Sequence, residues 1–341
     1  MKLLSPHLLA GLALRNRLVV APMSRMQGDS AGMPNVDAAA YYARFALNGV
    51  GLILTEALYT AGPASRAYYG QPGLTNPEQA GHWRTICDAV HQHGGRLFAQ
   101  LQHAGKLAEP GLHDRPLGPV DGVAAGLSWQ TQRPNVPAHR ATDEEIEQIV
   151  QGYGESARWA EEAGFDGIEI HGARGYLIND FLSAGNTRND RWGDRPHLAE
   201  AVLQRVKAQC SLPVSFNYSQ YKMDDYHHQM PGGPVALAAL FQRLRHAGAD
   251  ILHLSARRIL HPEPWGERLV DIAARSAPGP LLINGGIRTL QACEQALADT
   301  PADGVALARP FLANPDWLPR SLAGDVLRDY EPGMERRPLL A

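Results

Sequence analysis

Polar side chains recur in this chain directly after short apolar runs. They are Pro22-Met23-Ser24-Arg25, Glu56, Gln100 with Gln102 and His103, His171 with Arg174 and Tyr176, Asn217 with Ser219, Ser255, Asn284-Gly285-Gly286 and Arg309. Gathered at one end of an apolar cylinder, such groups are what a ligand site requires. The most informative spacing is Asn284-Gly285-Gly286, followed by a helical pattern from Leu290, with Arg309 after the next apolar run. Glycines leave backbone N–H groups free to face an anion and a guanidinium adds a bidentate charge, so a phosphate is the natural occupant. The same residues would also serve as a tight turn and a surface ion-pair partner.

Other candidates are weaker. Glu56 and Asp180 are possible acid and base partners, although Glu56 ends a strand and reads as structural. His91-Gln92-His93 and His227-His228 lack a neighbouring carboxylate or Cys at ligand spacing, so they read as surface histidines and no metal is expected. The aromatics Trp129, Tyr69, Tyr218 and Phe311 are candidates for shaping a pocket, Phe311 equally for plain core.

The elements that must position these groups alternate along the whole chain. Strands are predicted at Leu18–Ala21, Gly51–Thr55, Arg96–Leu101, Gly167–Ile170, Pro213–Phe216, Ile251–Leu254, Leu281–Ile283 and Gly304–Leu307. Helical patterns lie between them at Asp37–Leu47, Pro77–Gln92, Asp143–Ala163, His197–Ala208, Val235–Ala247, Glu267–Ala274 and Leu290–Ala298. Thr142 and Glu145 form a capping-box signature, and the exits at Gly164 and Gly248 share a helix–Gly–Asp–strand form. The strands are too continuously apolar to have a solvent face. The pattern is α/β and predicts a single TIM (β/α)8 barrel, with a doubly wound sheet as the alternative. The Pro- and Gly-rich segment 104–140 follows the third strand and is expected to cover the barrel mouth. No linker divides residues 1–341, which read as one domain.

Composition narrows the partners. With 32 Lys+Arg against 35 Asp+Glu the formal net charge is −3, which argues against a nucleic-acid partner. Cys87, Cys210 and Cys293 form neither a disulfide framework nor a CxxC metal or iron–sulfur spacing. The apolar run from Met1 to Leu14 is broken by Pro6 and His7 and followed by Arg15 and Arg17, unlike a secretion signal. No stretch approaches the roughly 20 apolar residues a membrane span needs. The expectation is a cytoplasmic enzyme.

The chain resembles the Old Yellow Enzyme family of FMN-dependent NADH:flavin oxidoreductases over nearly its whole length. The resemblance is carried by Arg15-Asn16-Arg17-Leu18-Val19-Val20-Ala21-Pro22-Met23-Ser24, Gly49 to Ala57, Ala99-Gln100-Leu101-Gln102-His103-Ala104-Gly105-Lys106, Gly164 to Ala173 with Gly175-Tyr176-Leu177, Asn284-Gly285-Gly286-Ile287-Arg288 and Arg309 to Asp316. The segment Ser219 to Tyr226, with Ser255-Ala256-Arg257-Arg258, looks like a bacterial subgroup. The resemblance implies that Pro22, Met23 and Ala57 line the flavin ring, Ser24 bonds near flavin O4, and Gln100 bonds the pyrimidine edge. It also implies that Gly285, Gly286 and Arg309 hold the phosphate, His171 donates to a substrate carbonyl and Tyr176 supplies a proton.

Three positions depart from the family pattern. Arg174 stands where a His or Asn usually pairs with His171; it would clamp an anionic substrate group or turn aside into a salt bridge. Asn217 replaces an arginine beside the N1/C2 side of the flavin. Ala308 replaces the Gly before the phosphate Arg. The implied function is an FMN-dependent ene-reductase that uses NADPH or NADH to reduce the C=C bond of an α,β-unsaturated carbonyl compound, as a homodimer or homotetramer. A non-redox, isomerase-type enzyme with weakened flavin binding is the alternative, and a silent ligand-binding barrel a third reading. In some members of the family the tail crosses into a neighbouring subunit; Glu335-Arg336-Arg337 would either do so here or form a frayed, solvated end.

Overall fold

The computed structural model describes residues 1–340. Eight parallel strands close into a barrel in chain order. They are β1 (Leu18–Val20), β2 (Leu52–Tyr59), β3 (Arg96–Gln102), β4 (Gly167–Arg174), β5 (Val214–Lys222), β6 (Ile251–Ser255), β7 (Leu281–Asn284) and β8 (Gly304–Leu307). Each is buried on both faces because one face meets the helices and the other meets the barrel interior. Along β6, Leu252 and Leu254 join the large cluster under the helices, whereas Ile251 packs inside with Val19, Leu54, Phe98, Leu282 and Ala306. That alternation is the period-two rule of strands.

The helical patterns fall within two residues of the observed helices. The longest, Asp143–Ala163, starts where Thr142 Oγ1 accepts from Glu145 N at 3.2 Å and Glu145 Oε2 accepts from Thr142 N at 2.8 Å. It ends at Gly164 with φ +86°, the left-handed stop that glycine adopts without a Cβ penalty. The doubly wound alternative is excluded by closure of the sheet.

Three differences bear on the site. β2, β4 and β5 run further than their apolar runs, to Tyr59, Arg174 and Lys222, and the register slips between Leu54 and Ala57 and between Gly172 and Arg174. These extensions begin at a polar residue, Glu56, His171 or Asn217, that interrupts the apolar run, so hydropathy alone does not mark them as strand. Short helices at Leu177–Leu182, Arg309–Ala313 and Trp317–Ala323 are too brief to show a 3.6-residue period. The apolar N-terminal run is a hairpin pairing His7–Leu9 with Leu12–Leu14, and its Leu9 and Leu14 pack against inner residues at the strand starts. The chemistry is left to the opposite end.

Candidate active site

A cavity of about 740 Å³ opens at the carboxyl ends of the strands. It is lined by Pro22, Met23, Ser24, Ala57, Gln100, Gln102, His171, Arg174, Tyr176, Asn217, Asn284, Gly285, Gly286, Ala308 and Arg309, whereas Arg25, Glu56, His103, Ser219 and Ser255, also marked by their place after apolar runs, do not line it. Trp129 reaches it from the segment 104–140, and Tyr330 and Glu335 reach it from the tail.

One end of the cavity is lined by Gly285, Gly286 and Arg309. Gly285 has φ +129°, and a Cβ there would sit 1.7 Å from the carbonyl oxygen of Ala256, so only glycine fits. Gly286, at φ +76°, is next to it. Arg309 is exposed and its guanidinium lies 5.4 Å over the Tyr330 ring. Among the described residues Arg174, Arg257, Arg258, Arg288 and Arg309 all line the cavity and form no ion pair or side-chain hydrogen bond within the chain. The Oδ1 of Asn284 is buried without a donor. Ala308 has φ −108°, a conformation open to any residue, so its methyl adds no backbone strain.

At the other end are His171 and Tyr176. His171 is buried, and its Nδ1 accepts from the backbone N–H of Ala173 at 3.3 Å. Burial, then the Arg174 charge, then His253 push its pKa down to about 3. The ring is therefore neutral at pH 7, and with Nδ1 accepting, the proton sits on Nε2 as the remaining donor. The Tyr176 ring packs edge-on against His171 with centroids 5.0 Å apart. The Tyr176 hydroxyl is bonded to that of Tyr68 and donates to Met223 Sδ at 3.7 Å. A hydroxyl has one proton to give, so Tyr68 is the donor in the tyrosine pair. Burial raises the Tyr176 pKa, while the bond from Tyr68 works the other way. No spacing in the sequence pointed to Tyr68, which lies in the loop after β2 and is brought in by folding.

Arg174 has φ +63°, uncommon for a residue with a Cβ, and its backbone N–H donates to Ser219 Oγ at 2.9 Å. It turns into no salt bridge, so the turned-aside arrangement does not occur. Asn217 donates through Nδ2 to Ser255 Oγ at 3.1 Å.

Several expectations are corrected. Tyr218 faces outward from β5 and packs edge-on against Phe241, Phe311 is core against Phe45 and Trp317, and Tyr69 bonds Pro110 O at the surface; none of the three lines the cavity. Glu56 and Asp180 do not pair. Glu56 accepts from the backbone N–H of Arg25 at 2.8 Å and Met26 at 2.9 Å, tying β2 to the loop after β1. Asp180 is held by Lys222 at 2.7 Å and Lys106 at 3.1 Å. His91 bonds Asp166 at 2.7 Å, and His228 is half-buried, with Nδ1 2.7 Å from Gln220 O, rather than a free surface group. Among the described residues the one cluster with metal-like spacing is Asp194, His197 and Glu200, but Arg243 already bridges both carboxylates. The tail lies across its own barrel mouth: Arg25 donates to Glu335 O at 3.1 Å and to Arg337 O at 2.7 Å, and Arg336 stacks over Trp129. Among the described residues no helix is long and apolar enough to cross a membrane.

The family model described as the NADH:flavin oxidoreductase / NADH oxidase family matches residues 2–324. Among curated relatives, "Putative 12-oxophytodienoate reductase 2" of Oryza sativa subsp. japonica is 32% identical, covering 95% of this chain and 87% of its own length. Among solved structures, the old yellow enzyme homologue from Zymomonas mobilis superposes with TM-score 0.88 at 26% identity, covering 99% of this chain and 97% of that one. Morphinone reductase in complex with tetrahydroNAD superposes with TM-score 0.87 at 26% identity, covering 99% and 95%.

Proposed function

The chain belongs to the NADH:flavin oxidoreductase / NADH oxidase family, and from that premise we propose that it is an ene-reductase acting on α,β-unsaturated carbonyl compounds, with residues 1–341 as one FMN-binding domain. The observation that carries the reading is one cavity with a glycine–arginine anion cradle at one end and a neutral His171 beside Tyr176 at the other. The reductase names of the plant relative and of morphinone reductase support the substrate class, and tetrahydroNAD in the latter supports a nicotinamide as reductant.

The residues present fit FMN. The phosphate would lie against the N–H groups of Gly285 and Gly286 and the Arg309 guanidinium, in a turn where a Cβ at Gly285 would strike the Ala256 carbonyl oxygen. Ribityl hydroxyls would give the buried Asn284 Oδ1 the donor it lacks. Pro22, Met23, Ser24, Ala57, Gln100 and Asn217 would surround the ring, with Ala308 beside the phosphate. When bound, FMN supplies the hydride chemistry: two electrons and a proton taken from NADPH or NADH and passed to the β-carbon of the alkene.

The protein's part is electrostatic and positional. His171 Nε2–H donates to the substrate carbonyl oxygen, where negative charge accumulates, and being neutral it does so at any pH near 7. Tyr176 O–H protonates the α-carbon. Tyr68 O–H donates to the Tyr176 oxygen and stabilises the charge left on it. Arg174 reaches the same space without an internal partner, so it clamps an anionic group on the substrate, carboxylate being the best geometric match. We read the protein as cytoplasmic and homo-oligomeric.

The test is direct. The purified protein should be yellow, or turn yellow with FMN, and should consume NADPH or NADH when cyclohexenone is added. A colourless protein that does not bind added FMN would sink the reading.

A further inference from the structure

Beneath the cavity floor is a fully buried polar layer that the proposed chemistry does not use. The Glu169 carboxylate, on β4, takes three hydrogen bonds, from β3, β5 and β6. Gln100 Nε2 donates to Oε1 at 2.9 Å, Ser215 Oγ donates to Oε2 at 2.9 Å, and His253 Nδ1 lies 2.7 Å from Oε2. Glu169, Ser215 and His253 are wholly excluded from solvent. Only Gln100 also lines the cavity.

A carboxylate accepts hydrogen bonds and gives none. Gln100 must therefore turn its NH2 down to Glu169, whatever the rotation of its amide would otherwise be. Its Oε1 is left free on the cavity side, where no group of the described chain donates to it. Turning the amide over would put oxygen against oxygen in a buried setting and leave a carboxylate lone pair unfilled, a costly arrangement for buried polar groups. We propose that Glu169 is a positioning residue that locks the Gln100 carbonyl toward the cavity, so that the floor accepts a ring carrying an N–H donor there, the imide N3–H of a flavin. This rests on the FMN reading. His253 and Ser215 hold the carboxylate in place by filling its other oxygen.

The consequence is a direction. An acceptor facing N3–H favours the protonated imide, so N3 of the bound flavin titrates at higher pH than in free FMN; a facing NH2 would favour the deprotonated imide and move it the opposite way. Glu169→Gln reverses the lock. Two donors face the Oε2 position and one faces Oε1, so the new amide keeps its oxygen toward the two and turns its NH2 to Gln100, which must then turn over.

The experiment is a pH titration of the flavin absorbance in the holoenzyme, with free FMN as reference, alongside the FMN dissociation constant. In the wild type we expect N3 to titrate about one pH unit or more above free FMN, a tenfold effect on the imide equilibrium. In Glu169→Gln we expect that elevation to be lost or reversed and FMN binding to weaken about tenfold. An N3 that titrates below free FMN in the wild type overturns the proposal without any variant being needed. An unchanged titration in a folded Glu169→Gln overturns it as well, since a carboxylate that merely braces the barrel leaves the imide unaffected. Failure to bind FMN at all would overturn both this inference and the reading beneath it, whereas FMN bound with the wrong N3 shift overturns the inference alone.

Discussion

The hydroxyls of Tyr68 and Tyr176 are hydrogen-bonded to one another, with rings edge-on and centroids 6.5 Å apart, although 108 positions separate them in the chain. The bond runs from Tyr68 to the oxygen that, in the proposed reaction, gives up its proton. Removing it with Tyr68→Phe takes away a hydrogen bond to a developing charge, worth about 1.5 kcal/mol or more. Turnover in the step that oxidises the reduced enzyme with cyclohexenone should fall about tenfold. Reduction of the enzyme by NADPH or NADH should not change, because no phenol acts there. Stopped-flow measurement of the two half-reactions separates these outcomes.

Arg174 offers its guanidinium to the cavity with no partner inside the chain. Arg174→Gln should therefore raise KM for an enone bearing a carboxylate by about tenfold to a hundredfold, the range of a lost charge-assisted pair. It should leave KM for neutral cyclohexenone within a factor of about three. Equal effects on both substrates would show that the arginine does not clamp an anion.

Gly285 and Gly286 should respond differently to alanine. At Gly285 the new Cβ meets a backbone oxygen at 1.7 Å, which no side-chain movement relieves, so Gly285→Ala should lose FMN binding and lower the thermal midpoint. At Gly286 the nearest atom lies at 3.3 Å, though the φ of +76° still strains any side chain. Gly286→Ala should weaken FMN binding by a smaller factor, read by flavin fluorescence quenching.

Two buried histidines should weaken the fold in acid. Burial pushes His103 down to about 4, and burial with the Arg174 charge pushes His171 down to about 3, against an ordinary value of 6.5. Between those values and 6.5 the unfolded chain binds protons that the folded one does not, so the stability these groups contribute is present above pH 6.5 and lost as pH falls. The thermal midpoint should drop steadily from pH 6.5 to pH 4, and less steeply in His103→Gln. Over pH 6 to 8 the rate should show no inflection from His171, which stays neutral throughout.

Asn217 lies in the cavity floor, where the family resemblance places an arginine. Restoring a cation with Asn217→Arg should stabilise the anionic reduced flavin and raise its midpoint potential. About 1.4 kcal/mol of such stabilisation corresponds to about 30 mV in a two-electron couple. Equilibration against a reference dye measures it, and a fall in potential would contradict the assignment of Asn217 to that face.

Much of the architecture was legible before folding, and for a definite reason. Barrel strands are buried on both faces, so runs such as Leu281–Ile283 and Gly304–Leu307 stand out as unbroken apolar segments, and Thr142 with Glu145 and Gly164 mark a helix by local chemistry alone. The polar residues closing those runs sit at the mouth because a parallel barrel puts all its strand ends on one side. Outward and inward positions were harder. Tyr218 and Phe311 were candidates for the pocket by type, but the pleat turns Tyr218 outward and the short helix Arg309–Ala313 buries Phe311 against Phe45.

By itself the sequence determined the barrel, the gathering of Gly285, Gly286 and Arg309 at its mouth, and the placing of His171 and Tyr176 near one another, since each depends on local pattern or on a spacing of a few residues. Tertiary structure alone decided what those groups face. It set Tyr68 against Tyr176, folded the tail back over its own mouth through Arg25, left Arg174 unpaired, and laid Glu169 under Gln100 with Ser215 and His253. These are contacts between residues far apart in the chain, and hydrogen-bond direction, burial and charge are fixed only when closure of the sheet brings them together.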